Sequence, residues 1–356
     1  MTSIRNELMG RSLAALRGAL RACPEWADAP LVPLADKGLA HLHVRLSGTG
    51  VLARIPKQSQ LALPPDANLR HQQACFDRAC DGGHAPRLLG VLPVSADLPR
   101  GALLVEEIAG CPVALPDDLV SVARALAALH RLPLPPPPAR APLADAADPL
   151  QELVAEIERQ AGHLAAAGLG AEVRQQIEGE LARLRELARS EERPQRRLIA
   201  FDAHPGNFIL RHPGHAVLVD LEKCRYSYPG LDLAHATLYT STTWDVESRA
   251  VLSLQEVASF YADWSQAAGP ELAHAAAPWH VPLRHAMWLW SLTWCCKWRA
   301  LAQQAPRSPQ AGEDWSAAHS DPSLVEHVRE RVEHYLSAPV IRRVQEELHA
   351  LRRILE

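Results

Sequence analysis

Lysine is nearly missing from this 356-residue chain: Lys37, Lys57, Lys223 and Lys297 are the only four. Arginine carries most of the positive charge, and the abundant alanine and proline beside it point to GC-rich coding, not to a function. The formal net charge is −4, which excludes a global basic field of the kind that attracts nucleic acid or anionic membrane. Paired metal-ligand cysteines are absent as well. Cys23, Cys75, Cys80, Cys111, Cys224, Cys295 and Cys296 are odd in number and form no C-x-x-C. That excludes zinc-finger spacing and leaves reduced, mostly buried thiols in a cytoplasmic protein as the expectation. No long apolar run is present. Met287 to Cys296 is too short to span a bilayer and is interrupted by Ser291 and Thr293. Met1 to Cys23 lacks the continuous apolar segment of a secretory signal. Its Glu7 and its apolar stripe (Ile4, Leu8, Leu13, Leu16, Leu20) predict a first helix instead.

What is present is enough apolar residue, 47% against 22% charged, for one large domain or two lobes with separate cores. Leu39 to Leu46 and Val51 to Ile55 read as strands joined through Ser47-Gly48-Thr49-Gly50, a hairpin turn composition. A short helix over Asn68 to Cys80 and strands over Pro86 to Leu92 and Leu103 to Ile108 complete a small sheet with one helix. Helical spacing takes over in Pro116 to Arg131, and the prolines at 133 and 135–138 stop that helix. Two further helices lie between Leu150 and Ser190. Short apolar segments then flank a loop (Leu198 to Leu210, Ala216 to Leu221), and helix returns from Leu231 onward. The arrangement is α+β, with a small N-lobe over residues 1–107 and a large, mainly helical C-lobe over 108–356.

The chemistry-bearing segment is Leu198-Ile-Ala-Phe-Asp-Ala-His-Pro-Gly-Asn-Phe-Ile-Leu210. Asp202 and Asn207 stand in D-x-x-x-x-N spacing, and Asp220 follows at the end of a strand-like run. Phosphoryl transfer needs a carboxylate to take the proton of the attacking hydroxyl, and oxygen ligands for magnesium beside the phosphates. Asp202 supplies the first; Asn207 and Asp220 supply the second. Taken singly, each residue suits a turn or a cap. Taken in this order behind a β-rich N-lobe, they form a set. Glu222 either joins the magnesium shell or faces solvent, and His204 is expected to make a loop hydrogen bond beside Pro205-Gly206. Trp290, Trp294 and Trp298, with Trp288, fall at helical spacing and are expected in a core. Trp244, Asp245 and Glu247 are candidate substrate contacts suited to a cationic acceptor.

Asp202-Ala-His-Pro-Gly-Asn207, Val219-Asp-Leu-Glu-Lys223, Pro229-Gly-Leu-Asp-Leu-Ala234 and Leu126-Ala-Ala-Leu-His-Arg-Leu-Pro133 together resemble the aminoglycoside phosphotransferase and choline kinase family. The resemblance covers roughly residues 30 to 240. It implies a bilobal, protein-kinase-like fold with ATP (GTP being possible) and magnesium bound between the lobes. By the same resemblance Asp202 is the catalytic base, Asn207 and Asp220 hold the metal, and Asp232 is a buried aspartate that steadies the catalytic loop. Arg54 would meet the α/β-phosphates, Lys37-Gly38 would cover the nucleotide, and Leu104 to Gly110 would form the adenine hinge, with Glu106 and Ile108 as its contacts. Two positions depart from the family pattern. Ala200-Phe201-Asp202 stands where the family usually has H-G-D. Arg70-His-Gln-Gln-Ala-Cys75 lacks the helix glutamate that would pair with Arg54, leaving Gln72 or Gln73 to bond it. The expected activity is phosphorylation of a hydroxyl on a small molecule that is aminoglycoside-, choline-, sugar- or amino-alcohol-like. A catalytically degenerate regulatory module is the alternative. Protein phosphorylation is disfavoured because no A-P-E ending lies between Asp220 and Asp232.

Overall fold

Alternating side chains in the first hundred residues build a sheet with two different faces. A computed structural model describes residues 2–35, 40–302 and 322–355. The contacts separate two units. One is built mainly on the described residues within Met1–Cys80 and Pro86–Ile108, the other on those within Asp81–Ala85, Ala109–Gln303 and Arg329–Glu356.

The first unit opens with α1 (Thr2–Leu20), followed by β1 (Leu31–Pro33), β2 (His41–Leu46), β3 (Val51–Pro56), α2 (Pro65–Ala79), β4 (Leu88–Leu92) and β5 (Ala102–Glu106). The sheet is antiparallel, in the order β1-β2-β3-β5-β4. Leu42, Val44 and Leu46 of β2 and Val51, Ala53 and Ile55 of β3 point to one face. There they bury Leu16 and Leu20 of α1. Each leucine, valine or isoleucine side chain so withdrawn from water contributes about 1.5–3 kcal/mol. The β2–β3 turn uses Gly48 (φ +81°) and Gly50 (φ +72°), with the Thr49 hydroxyl donating to the Leu46 carbonyl at 2.7 Å. The opposite face of β3 carries Arg54, beside Phe76 of α2.

The second unit runs β6 (Cys111–Pro112), α3 (Leu119–His130), α4 (Pro149–Ala161), α5 (Ala171–Ala188), β7 (Arg197–Ile199), β8 (Phe208–His212), β9 (His215–Leu218), β10 (Arg225–Ser227), α6 (Pro229–Thr237), α7 (Tyr239–Thr242), α8 (Leu254–Ala268), α9 (Pro270–Ala276) and α10 (His280–Ala302). After it come α11 (Pro322–Tyr335) and α12 (Ala338–Leu355). Helix α10 is buried along most of its length, Trp288, Trp290 and Trp298 included, and packs on α4, α5, α6 and α12. A helix apolar around its circumference belongs at such a centre. The fully buried Arg284 of α10 reaches two elements at once. Its guanidinium bonds the Thr237 hydroxyl (2.7 Å) and carbonyl (3.0 Å) at the end of α6, and Glu347 of α12. Asp148 caps α4 by accepting the Leu150 and Gln151 amides, and its carboxylate also receives Arg193 (2.7 Å). Strand β7 pairs with β10, and β8 with β6 and β9.

Candidate active site

Strand β7 delivers the chain to Ala200-Phe201-Asp202, and this tripeptide is held by its backbone. The Asp232 carboxylate, in the first turn of α6, accepts the Ala200 N–H on Oδ2 and the Phe201 N–H on Oδ1, each at 2.7 Å. His130, the last residue of α3, meets the same Oδ2 through Nε2 at 3.0 Å. The Trp264 indole of α8 donates to His130 Nδ1 at 3.0 Å. An indole N–H only donates, so His130 carries its proton on Nε2, aimed at Asp232. Asp232, His130 and Trp264 are all fully buried. In that low-dielectric setting each bond is strong and each unmade bond costly. Phe201 takes φ +62°, a region a bulky residue enters only where its surroundings over-determine it.

Asp202 follows directly. The Lys223 ammonium donates to its Oδ2 at 2.6 Å, His235 Nδ1 lies 3.7 Å from its Oδ1, and His204 Nε2 lies 4.0 Å away. Burial opposes ionisation of Asp202, yet Lys223 with the two imidazoles outweighs it and holds the carboxyl well below the usual range. Burial likewise works against the charge on Lys223, and Asp202 more than compensates, so the ammonium is stabilised. For His235 burial wins, and its pKa falls to about 4.

The loop beyond Asp202 turns back on itself. Asn207 donates its side-chain amide to the Asp202 carbonyl at 2.8 Å, and the Val219 N–H donates to the Asn207 carbonyl at 2.9 Å. Asn207 and the residue preceding Asp220 are thereby fixed as neighbours. Carboxylate oxygens of Asp220 and Glu222 lie within 4.8 Å of one another. Two carboxylates and an amide oxygen are the hard donors magnesium takes, so the residues present fit that ion. His204 does not make the expected loop hydrogen bond. Its carbonyl accepts the Asn207 N–H (2.9 Å), while its Nδ1 has no partner among the described residues. The backbone closes the Pro205-Gly206 turn, and the imidazole faces Asp202 instead. Gly206 is required here: a Cβ would sit 2.7 Å from the Asp245 side chain. Asp245 thus lies against the loop, with Trp244 next to it packed edge-on to Trp294 (ring centroids 5.8 Å apart) and near Tyr335 (6.3 Å).

In the first unit Arg54 is buried, with its guanidinium carbon 5.4 Å from the centre of the Phe76 ring. Neither glutamine bonds it. The Gln72 oxygen pairs with His41 Nε2 at 3.0 Å, and Gln73 reaches Asp77 (3.5 Å). The helical phase of α2 aims Gln72 toward β2 and Gln73 outward. Glu106 ends β5 with its N–H donated to the Arg87 carbonyl at 2.9 Å, and Ile108 follows it, half-buried. Lys37 and Gly38 lie outside the described residues.

Residues 38–279 match the model of the phosphotransferase enzyme family (APH). The chain belongs to that family. No curated protein matches the sequence. Among solved structures it is similar to a choline/ethanolamine kinase family protein from Mesorhizobium loti, at 16% identity and TM-score 0.58, over 95% of this chain and 99% of the other. A choline kinase from Cryptosporidium parvum is similar at 15% identity and TM-score 0.59, over 96% and 97% of the two chains. The GDP complex of wild-type aminoglycoside 2'-phosphotransferase-IIIa is similar at 13% identity and TM-score 0.56, over 89% and 95%. At such identities the likeness speaks to the fold, which is α+β and protein-kinase-like.

For a phosphotransferase of this family, three residues around the loop escape a reading of motifs. Lys223 ends the Val219–Lys223 segment, and its clue is scarcity, as one of four lysines, three residues after Asp220. His235 lies one helical turn beyond Asp232, which puts it on the same face of α6. Trp264 comes from 62 residues beyond Asp202, and nothing local marks it.

Proposed function

We propose that this phosphotransferase moves the γ-phosphoryl group of ATP, with magnesium, to the hydroxyl of a small amine-bearing alcohol. The observation that carries the reading is Asp202: a carboxylate kept ionised, on a loop strapped through its two preceding amides, with oxygen donors at Asn207, Asp220 and Glu222 following in order. Phosphoryl transfer passes through a loose transition state, so positioning matters more than basicity, and a carboxylate of lowered pKa still orients the hydroxyl and receives its proton late. Lys223 keeps that carboxylate charged and in one rotamer. Asn207, Asp220 and Glu222 would hold the ion, which supplies charge neutralisation at the phosphates. Arg54 would pair with phosphate oxygens from the sheet unit. Support for an amine-bearing acceptor comes from Trp244 and Trp294, with Asp245 set against Gly206, since aromatic faces and a carboxylate suit a cation. The fold neighbours named choline and aminoglycoside kinases fit the same class.

The test pairs binding with transfer. Thermal shift is measured with ATP and GTP, each with and without magnesium, and phosphorylation of choline, ethanolamine and an aminoglycoside is followed in parallel. Asp202→Asn is expected to lower transfer by about 10²–10⁴-fold while leaving nucleotide binding in place. Asp220→Ala is expected to lose the magnesium-dependent part of the shift. Unchanged turnover in Asp202→Asn defeats the base assignment. A nucleotide shift without transfer to any acceptor favours the regulatory module, for which the tight Lys223–Asp202 pair is the specific structural support.

A further inference from the structure

Phe201 is one of two non-glycine residues with positive φ among the described residues, the other being Ala62. Only 1% of Phe201 is exposed. A strained backbone of this kind persists only where its surroundings hold it, and beyond the Asp232 bonds to the backbone the side chain is gripped as well. Here it is held from two sides. The Arg225 guanidinium carbon lies 3.6 Å from the centre of its ring, and Trp290 packs edge-on with centroids 5.1 Å apart and planes at 83°. A guanidinium that close to the ring centre gains both dispersion and cation–π attraction.

Both walls are fixed by one carboxylate. Glu156 of α4 accepts the Trp290 indole N–H on Oε1 at 2.7 Å and Arg225 Nη1 on Oε2 at 3.2 Å. Arg225 also donates from Nε to the Lys223 carbonyl at 3.3 Å. The group that presses on Phe201 therefore also anchors the residue whose ammonium meets Asp202. Lys223 Nζ in turn stands 5.7 Å over the Trp290 ring.

We infer that Glu156, Arg225 and Trp290 form a positioning cage that keeps Phe201 in its left-handed conformation and so sets the direction of Asp202. None of the three touches the reacting atoms; they act through Phe201 and Lys223. The inference rests on Asp202 acting as the base, as proposed above. It gives helix α4 a catalytic consequence, because α4 supplies the carboxylate that locks both walls. Glycine at 201 would take the same φ without strain and would make the cage dispensable.

That last point supplies the test. Arg225→Ala and the more conservative Arg225→Lys, which keeps the charge but loses the guanidinium, are each made with Phe201 and with Phe201→Gly. Two readouts are taken on the full-length protein: kcat and KM for phosphotransfer, and hydrogen exchange of the Phe201 and Asp202 amides. With Phe201 present, Arg225→Ala should lower kcat by about 10–100-fold with nucleotide KM little changed, the loss expected for an ångström-scale misplacement. The two amides should exchange faster. On top of Phe201→Gly, the same change should cost under about threefold and leave exchange nearly unaltered. Equal losses in both backgrounds, in rate and in exchange, overturn the cage. If no variant and no wild-type sample transfers phosphate, the base assignment fails, and the exchange data alone still decide whether Arg225 holds Phe201.

Discussion

Two buried polar clusters in this protein are built to different standards. Around Asp232 every hydrogen bond is made: two loop amides and His130 converge on one carboxylate, and Trp264 fixes the imidazole from behind. On the buried face of α2 the matching is looser. Gln72 spends its oxygen on His41, and the side-chain nitrogens of Gln72 and Asn68, both buried, have no partner among the described residues. The contrast is between a loop whose polar groups the fold satisfies and a helix face on which it leaves some unmatched. The base loop is preorganised by the fold. The buried face of α2 keeps two amide nitrogens without a partner among the described residues.

The largest effect should come from breaking the satisfied cluster. Asp232→Ala leaves two amides and an imidazole N–H buried without an acceptor and should destabilise the protein by about 3–5 kcal/mol, read from urea unfolding. Trp264→Phe removes one donor and should cost about 1–3 kcal/mol. An Asp232→Ala protein as stable as wild type would show that the cluster is ornamental.

A smaller effect sharpens the comparison through pH. Burial lowers His235 and His280 from 6.5 to about 4. The unfolded chain takes up these protons at higher pH than the folded one. Each histidine therefore leaves stability intact above about pH 6.5 and erodes it as pH falls toward 4, by about 1.4 kcal/mol per pH unit. Urea midpoints at pH 7, 6 and 5 should trace that slope, and His280→Gln should flatten it. A midpoint independent of pH across this range contradicts the buried, uncharged state of both rings.

The smallest effect addresses the looser cluster. Gln72→Glu keeps an acceptor for His41 and adds a carboxylate to the α2 face that lies over the sheet. Nucleotide affinity should change by less than about tenfold, in the direction of tighter binding, through a better-held Arg54. Weaker binding would show that Arg54 is already placed and that added negative charge repels phosphate.

The sequence made the order Asp202, Asn207, Asp220 legible because a loop of five and a hairpin of thirteen residues are short enough for spacing to stand for geometry. The sheet and its hairpin were legible from alternation and from the Gly48 and Gly50 turn. The partners that hold the loop were not. Trp264, Glu156 and Arg225 arrive from α8, α4 and β10, and spacing carries no information across such separations. The Gln72 expectation failed for a related reason: the residue beside Arg54 in a family pattern is positioned by the phase of α2, and His41 on a neighbouring strand competes for it.

The tryptophans give the protein a built-in means of observation. Each indole N–H yields one resonance in a sparsely populated region of a proton spectrum, and two of the nine tryptophans flank the base loop. Trp264 reports on it through His130, and Trp290 through Phe201. Nucleotide, acceptor or magnesium added to the unlabelled protein would then be visible from both sides of Asp202, with no probe attached.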